Sequence, residues 1–242
     1  MSLLSADTLF HLTPSAENLL GILTNEFRPR YCLERFQIAD EIVEVAFPVV
    51  CFCDIPLSQI QSHIGTYGHY GIGLSKEWAE IKGLNPVLYV QPKAEIGKHL
   101  GVVGEAILGR DDENLAGEAA MLDLMGYIKP YAGDFIRGQR SFTNVRFYDE
   151  REWRLVVRSN ASLLDKAEFL DAIRRARADQ LVQDNRLSFE PKDIKYVIVD
   201  LESERLSTVR ALRDIKSPKY SPEQIDILTS RIVTCQQVIS DF

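Results

Sequence analysis

Short apolar runs that are typical of buried β-strands recur along this chain, and segments with helical spacing lie between them. Strands and helices do not alternate strictly, as they do in a doubly wound parallel sheet. The pattern therefore predicts an α+β fold. The predicted strands are 9–12, 45–53, 70–74, 86–90, 150–157, 194–199 and 231–234, and the main predicted helices are 16–23, 57–65, 76–82, 116–125, 163–181, 203–214 and 222–230.

Cap residues and glycines refine two of these elements. Thr13 or Ser15 suits the start of the first helix, and Ser75 suits the start of the helix at 76–82. Gly71 and Gly73 alternate within the strand 70–74 and belong to no phosphate-binding glycine motif. We interpret them as positions where another backbone approaches closely.

Composition excludes several classes of protein. Of 242 residues, 45% are hydrophobic and 26% are charged, which is typical of an ordinary globular chain. No apolar stretch approaches the roughly 18 residues of a membrane span, and the first residues lack the pattern of a secretory signal. The four cysteines show no CxxC spacing. We therefore expect a cytoplasmic protein with buried, reduced thiols and no membrane contact.

The charge pattern separates the bulk surface from two local segments. The net charge of −7 disfavours a general binder of nucleic-acid backbones and suits a basic protein partner. Arginines and aromatic residues are nevertheless concentrated at 27–36 and 133–154. Arg28, Arg30 or Arg35 of the first segment would suit contact with a diphosphate, and the alternative is that they lie on a solvated loop. The predicted loop 133–149 would stack on unpaired bases of a nucleic-acid acceptor.

The stretch from Glu150 to Arg154 is the densest candidate for chemistry. Strand alternation places Glu150, Glu152 and Arg154 on one face and Trp153 on the other. If the apolar face packs inward, the carboxylates open to a cleft, where one would stabilise an oxocarbenium-like transition state. The alternative is a solvated outer strand with cross-strand ion pairs.

Two further polar groups suit a bound nucleotide. His11 and Thr13 stand at the end of the first strand, where they would hydrogen-bond ribose hydroxyls; the alternative is a core or cap histidine. Residues 62–70 carry glycines and histidines together with Tyr67 and Tyr70. This segment is a ligand-binding loop, a plain polar cluster or, with the nearby cysteines, a zinc site. Its spacing matches no zinc motif, so we expect no metal.

Several of these motifs resemble known families. The opening LFHLT at 9–13, followed by NLLGIL at 18–23, is similar to the start of DarT-type ADP-ribosyltransferases. The chain as a whole resembles the AbiGi family of abortive phage-infection proteins, which are described as the antitoxin partner in a two-gene system. The stretches that carry this resemblance are 51–56, 67–79, 127–131, 150–154 and 230–242.

The similarity to ADP-ribosyltransferases implies a particular form of the α+β class. It implies an ADP-ribosyltransferase-like split mixed sheet flanked by helices, with NAD held in the sheet. We expect one domain over 1–242, with a transferase-like core at 1–160 and a C-terminal extension of helices and strands at 161–242. The implied residues are Glu152 as the catalytic carboxylate and, for NAD, His11, Thr13, Arg28, Tyr67 and Tyr70.

Two functions from different classes follow. In the first, the protein is an enzyme of phage defence that transfers ADP-ribose from NAD to a nucleic-acid or protein acceptor. In the second, the same scaffold is a non-catalytic antitoxin that binds and restrains a partner toxin. The sequence leaves the choice open.

Overall fold

The computed structural model describes residues 6–38, 41–91, 93–108, 115–137, 140–157 and 163–241. The chain forms two compact units. The first unit comprises Met1–Arg28, Cys51–Leu84 and Arg186–Phe242, and the second comprises Pro29–Val50 and Asn85–Asn185. Each unit mixes strands with helices, so the predicted α+β class is confirmed.

The described residues form thirteen strands and ten α-helices. The strands are β1 Thr8–Thr13, β2 Arg30–Ile38, β3 Glu41–Cys53, β4 Tyr70–Ser75, β5 Asn85–Pro86, β6 Leu88–Val90, β7 Ile128–Pro130, β8 Gly133–Arg137, β9 Arg140–Val145, β10 Glu152–Val156, β11 Leu164–Asp165, β12 Ile194–Val199 and β13 Ile232–Thr234. The helices are α1 Ala16–Asn25, α2 Gln61–Tyr67, α3 Lys76–Ile81, α4 Glu95–Leu108, α5 Leu115–Met125, α6 Lys166–Leu170, α7 Ala172–Val182, α8 Arg205–Lys216, α9 Pro222–Thr229 and α10 Cys235–Asp241.

The first unit is built on a mixed arrangement of strands in the order β13-β12-β4-β1, followed by the end of β3. β12 and β13 are parallel, whereas β4 is antiparallel to both β12 and β1. Gly71 and Gly73 permit this pairing: a Cβ on Gly71 would lie 2.9 Å from the His11 carbonyl oxygen, and one on Gly73 would lie 2.8 Å from the Phe10 ring. The predicted close approach of another backbone is confirmed at Gly71, whereas at Gly73 the close neighbours are side chains of β1.

Helix caps form at the expected residues of the first unit. The Ser15 side chain accepts a hydrogen bond from the backbone N–H of Asn18, and Ser75 does the same for Trp78. Each bond satisfies one of the N–H groups that a helix start leaves without a partner. These local sequence signals therefore fix where α1 and α3 begin.

The second unit is organised around the hairpin of β2 and β3, which pair in antiparallel register from Arg30–Val49 to Ile38–Glu41. β11 also pairs with β3, and β10 lies between β3 and β5. Helices α6 and α7 pack on β2, while α4 packs on β2 and on α5. An apolar cluster joins α7 to the strands and consists of Tyr31, Ala46, Leu164, Ala178 and Val182.

Some predictions differ from the structure. Within the predicted loop 133–149, Gly133–Arg137 and Arg140–Val145 form the paired strands β8 and β9, and the rings of Phe135 and Phe142 stack between them with centroids 4.6 Å apart. The predicted helix 163–181 is interrupted because the Asp171 carboxylate caps α7 and ends α6. Of the four cysteines that were expected to be buried, Cys235 is buried, whereas Cys32, Cys51 and Cys53 are partly exposed.

No helix within the described ranges is long and apolar enough to cross a membrane. The expectation of a single domain with a core at 1–160 and an extension at 161–242 stays a prediction.

Candidate functional site

The buried charges of the second unit centre on Arg154 in β10, whose side chain is 1% exposed. Its Nε donates to Glu152 Oε1 and one terminal nitrogen donates to Glu34 Oε1, each at 2.7 Å. The other terminal nitrogen donates to the Gly126 carbonyl at 2.8 Å. A guanidinium this deeply buried is tolerated because acceptors, two of them anionic, surround it.

Lys129 in β7 supplies the second cation of this cluster. Its Nζ lies 2.6 Å from Glu152 Oε2 and 2.7 Å from Glu150 Oε2, and it sits 4.9 Å from the centre of the Phe147 ring. Burial by itself lowers the pKa of Lys129. The carboxylates of Glu152 and Glu150 outweigh that effect and raise the pKa well above its ordinary value, so the ammonium form is held.

Tyr89 completes the surroundings of Glu152. The backbone N–H of Glu152 donates to the Tyr89 hydroxyl at 2.8 Å, and burial raises the pKa of that phenol above its usual range. The hydroxyl therefore remains protonated and acts as an acceptor for the start of β10. We name the set Glu34, Tyr89, Lys129, Glu150, Glu152 and Arg154 the buried ionic cluster.

The faces of β10 are the reverse of the arrangement that an open carboxylate cleft needs. Glu152 and Arg154 are buried, whereas Trp153 is only partly buried. Glu150 does not lie on the strand, because it belongs to a short 3-10 helix and Arg151 between the two elements adopts φ +46°. This left-handed residue turns the chain so that Glu150 and Glu152 both reach Lys129.

This geometry bears directly on the role implied for Glu152. Each of its carboxylate oxygens lies 2.6–2.7 Å from a cationic nitrogen, and its side chain is almost fully buried. A carboxylate held in this way stabilises buried cations. The catalytic assignment of Glu152 stays a prediction.

His11 lies in the first unit among aromatic side chains. Because a carbonyl can only accept, its Nδ1–H donates to the Cys51 carbonyl oxygen at 2.9 Å. Its ring lies 5.1 Å from that of Phe27, edge to face, and 5.7 Å from that of Phe52. These contacts match the core-histidine alternative, and the ribose-binding role of His11 stays a prediction.

The structure brings Thr13, Tyr67 and Tyr70 together at one end of β1. Thr13 is buried and pairs directly with Tyr70 across β1 and β4. Gly68 follows Tyr67 with φ +123°, and a Cβ there would lie 2.3 Å from the Thr13 carbonyl oxygen. Only glycine allows this approach, so the turn between α2 and β4 fits tightly against the end of β1.

The tyrosine side chains at this end are already engaged. The Tyr70 hydroxyl donates to Glu204 Oε1 at 2.7 Å, and this hydrogen bond raises the pKa of Tyr70 to about 12. Tyr67 packs against the apolar cluster of α2 and stacks on the His63 ring. Nearby, His69 Nδ1 lies 2.9 Å from Asp200. The segment 62–70 is thus a polar and aromatic cluster, and NAD binding by Tyr67 and Tyr70 stays a prediction.

The candidate residues are divided between the two units of the chain. Arg28 is exposed and is the last residue of the segment Met1–Arg28 of the first unit, and its diphosphate contact stays a prediction. All five NAD-binding candidates belong to the first unit, and Glu152 belongs to the second. Within the described residues, no group of three or more histidine, cysteine or acidic side chains is placed to hold a metal ion.

Sequence analysis missed Lys129 and Glu34 as members of the buried ionic cluster. Lys129 is a single charged residue within Ile128-Lys129-Pro130, and Glu34 follows the run Tyr31-Cys32-Leu33. Such residues are buried only when they are paired, so their position in a strand was the available signal.

Comparison with known proteins identifies the family of this chain. The family model described as "Putative abortive phage resistance protein AbiGi, antitoxin" matches residues 25–200. The chain belongs to the AbiGi family. A curated AbiGi protein, "Abortive phage resistance protein AbiGi" from Lactococcus lactis subsp. cremoris, is 26% identical over 255 residues, which cover 89% of this chain and 99% of that protein. No solved structure matches the chain. The resemblance to AbiGi that its motifs indicate is confirmed.

Proposed function

We propose that this AbiGi-family chain is the non-catalytic antitoxin of an abortive phage-infection system and acts by binding a partner toxin. The observation that carries the proposal is the state of Glu152, the residue best suited to catalysis by its motif. Its carboxylate lies between Lys129 and Arg154 and compensates the positive charges of these two buried side chains. The family description as an antitoxin and the acidic chain, which suits a basic partner, support the same function.

The experiment expresses the protein encoded by the neighbouring gene in bacteria, with and without this chain. We expect the neighbouring protein alone to arrest growth and this chain to restore it while the two proteins purify together. A binder acts stoichiometrically, so the rescue is expected to track the ratio of the two proteins. Arrest that persists with both chains present and soluble would contradict the proposal.

A substitution at His11 distinguishes binding from catalysis. We expect His11→Asn, which keeps a side chain able to donate to the Cys51 carbonyl, to neutralise the toxin as well as the wild type does. A transferase that uses this imidazole would instead lose activity. The measurement is growth rescue, with the melting temperature as a control for folding.

The competing proposal keeps an ADP-ribosyltransferase-like split sheet and transfer of ADP-ribose from NAD to a nucleic-acid or protein acceptor. Its support is the motif at 9–23 and the mixed sheet of the first unit, where His11 remains partly accessible. We expect purified wild-type protein incubated with labelled NAD and cell lysate to transfer no label. Transfer that disappears in folded His11→Asn would favour the enzyme and overturn the antitoxin proposal.

A further inference from the structure

Helix α4 of the second unit packs through glycine. Gly97, Gly101 and Gly104 are its buried residues, and a Cβ on Gly104 would lie 3.5 Å from the terminal methyl of Met121 in α5. The backbone of α4 therefore lies close to its neighbours along this face. The larger apolar side chains of the helix must occupy other parts of its circumference.

These side chains form a stripe with the spacing of helix pairing. Ile96, Leu100, Val103 and Ile107 follow one another at i, i+4, i+7 and i+11, as the seam residues of a coiled coil do. Ile96 and Val103 are 48% and 47% exposed, and the other two are half-buried. We name these four residues the α4 seam. A surface helix normally turns such a stripe to the core, but glycines occupy that side of α4.

An apolar pocket adjoins the α4 seam. Leu100 lines it together with Met121 and Met125 of α5 and Ile128 of β7, and the exposed Arg35 of β2 also belongs to its lining. Methionine side chains adapt their shape to what they contact, and an apolar pocket at the centre of an exposed patch is where a partner's anchor residue binds most strongly. The α4 seam and the pocket together form an apolar helix face with an adjoining cavity.

The acidic charge of α4 and α5 indicates which kind of partner the α4 seam attracts. The described helices α4 and α5 carry four acidic side chains, Glu95, Glu105, Glu118 and Asp123, against one basic side chain, Lys98, which gives them a net charge of −3. A second copy would bring the same negative charge to the interface, and an anionic membrane or a nucleic acid would be repelled as well. A basic partner is attracted.

Accordingly, we infer that the α4 seam is the docking site for a basic amphipathic helix of the partner toxin, whose apolar anchor enters the pocket beside Leu100. The inference rests on the proposed function and adds the surface and the chemistry of the partner. It corresponds to the recognition mode in which an amphipathic helix lies in an apolar groove.

The test uses Val103→Lys in the full-length chain, with the neighbouring gene product as the probe. Lysine is at least as good a helix former as valine, and the side chain is half exposed, so the fold is retained. The matched control is Ile239→Lys in α10, which changes a side chain that is 46% exposed in the first unit. Binding is measured by calorimetry, and melting temperature checks both variants.

We expect Val103→Lys to weaken toxin binding about tenfold or more and to abolish growth rescue, whereas Ile239→Lys changes neither. Binding by the wild type is expected to weaken with added salt because the partner is basic. Equal binding by Val103→Lys and the wild type overturns the inference alone. So does a wild-type dimer that Val103→Lys dissociates while toxin binding persists. A wild type that neither binds nor neutralises the toxin refutes the proposed function itself.

Discussion

Replacing Arg154 with methionine lowers the free energy of unfolding by about 3–5 kcal/mol, the cost of breaking a buried ion pair from one side. Methionine fills much of the space of the arginine stem but donates no hydrogen bond. Glu34 then loses its guanidinium partner, Glu152 loses one of its two cationic contacts and keeps Lys129, and the Gly126 carbonyl loses a donor. Urea unfolding followed by fluorescence of the two tryptophans measures the change.

The matched control for this prediction is Arg146→Met. Arg146 pairs with Asp149 at 2.9 Å, but both side chains are more than half exposed, at 59% and 57%. Solvent screens exposed ion pairs, which therefore contribute little to stability, so this variant is expected to unfold close to the wild type. Equal loss of stability in Arg154→Met and Arg146→Met would show that burial of the cluster has no energetic consequence.

Replacing Gly71 with alanine is the second large effect. The added Cβ would lie 2.7 Å from the Leu12 side chain and 2.9 Å from the His11 carbonyl oxygen, which is backbone and cannot move aside cheaply. Overpacking of this kind costs about 1–3 kcal/mol. Because β1 and β4 pair along their whole length, we also expect faster amide hydrogen exchange in both strands.

Gly21→Ala is the control for the glycine substitution. Gly21 lies within α1 and nothing is within 4 Å of a Cβ built there. Alanine is the better helix former by about 1 kcal/mol, so this variant is expected to be as stable as the wild type or more stable. The thermal midpoints of the two variants should therefore move in opposite directions. A Gly71→Ala protein that melts with or above the wild type would contradict the close packing of β1 on β4.

The two large effects also connect stability with the proposed function. An antitoxin needs a rigid surface to present to its partner, and the buried ionic cluster joins β2, β7 and β10 of the second unit, which also carries α4. Arg154→Met is therefore expected to reduce growth rescue only as far as it reduces the amount of folded protein. Val103→Lys is expected to reduce rescue at normal stability.

Much of the fold was determined by local sequence. Ser15 and Ser75 fix the starts of α1 and α3 because a side-chain oxygen satisfies backbone N–H groups only a few residues away. Gly71 and Gly73 mark a close strand approach because only glycine leaves the necessary space. The motifs shared with the AbiGi family could likewise be recognised from the sequence without a structure.

Tertiary structure alone decided which face of β10 is buried. Alternation separates Glu152 and Arg154 from Trp153 but does not say which set faces inward. A charged face is buried only if partners meet it there. Those partners come from afar: Lys129 is 23 residues from Glu152, and Glu34 is 120 residues from Arg154. The local sequence therefore defined the two faces of the strand, and long-range ion pairing chose between them.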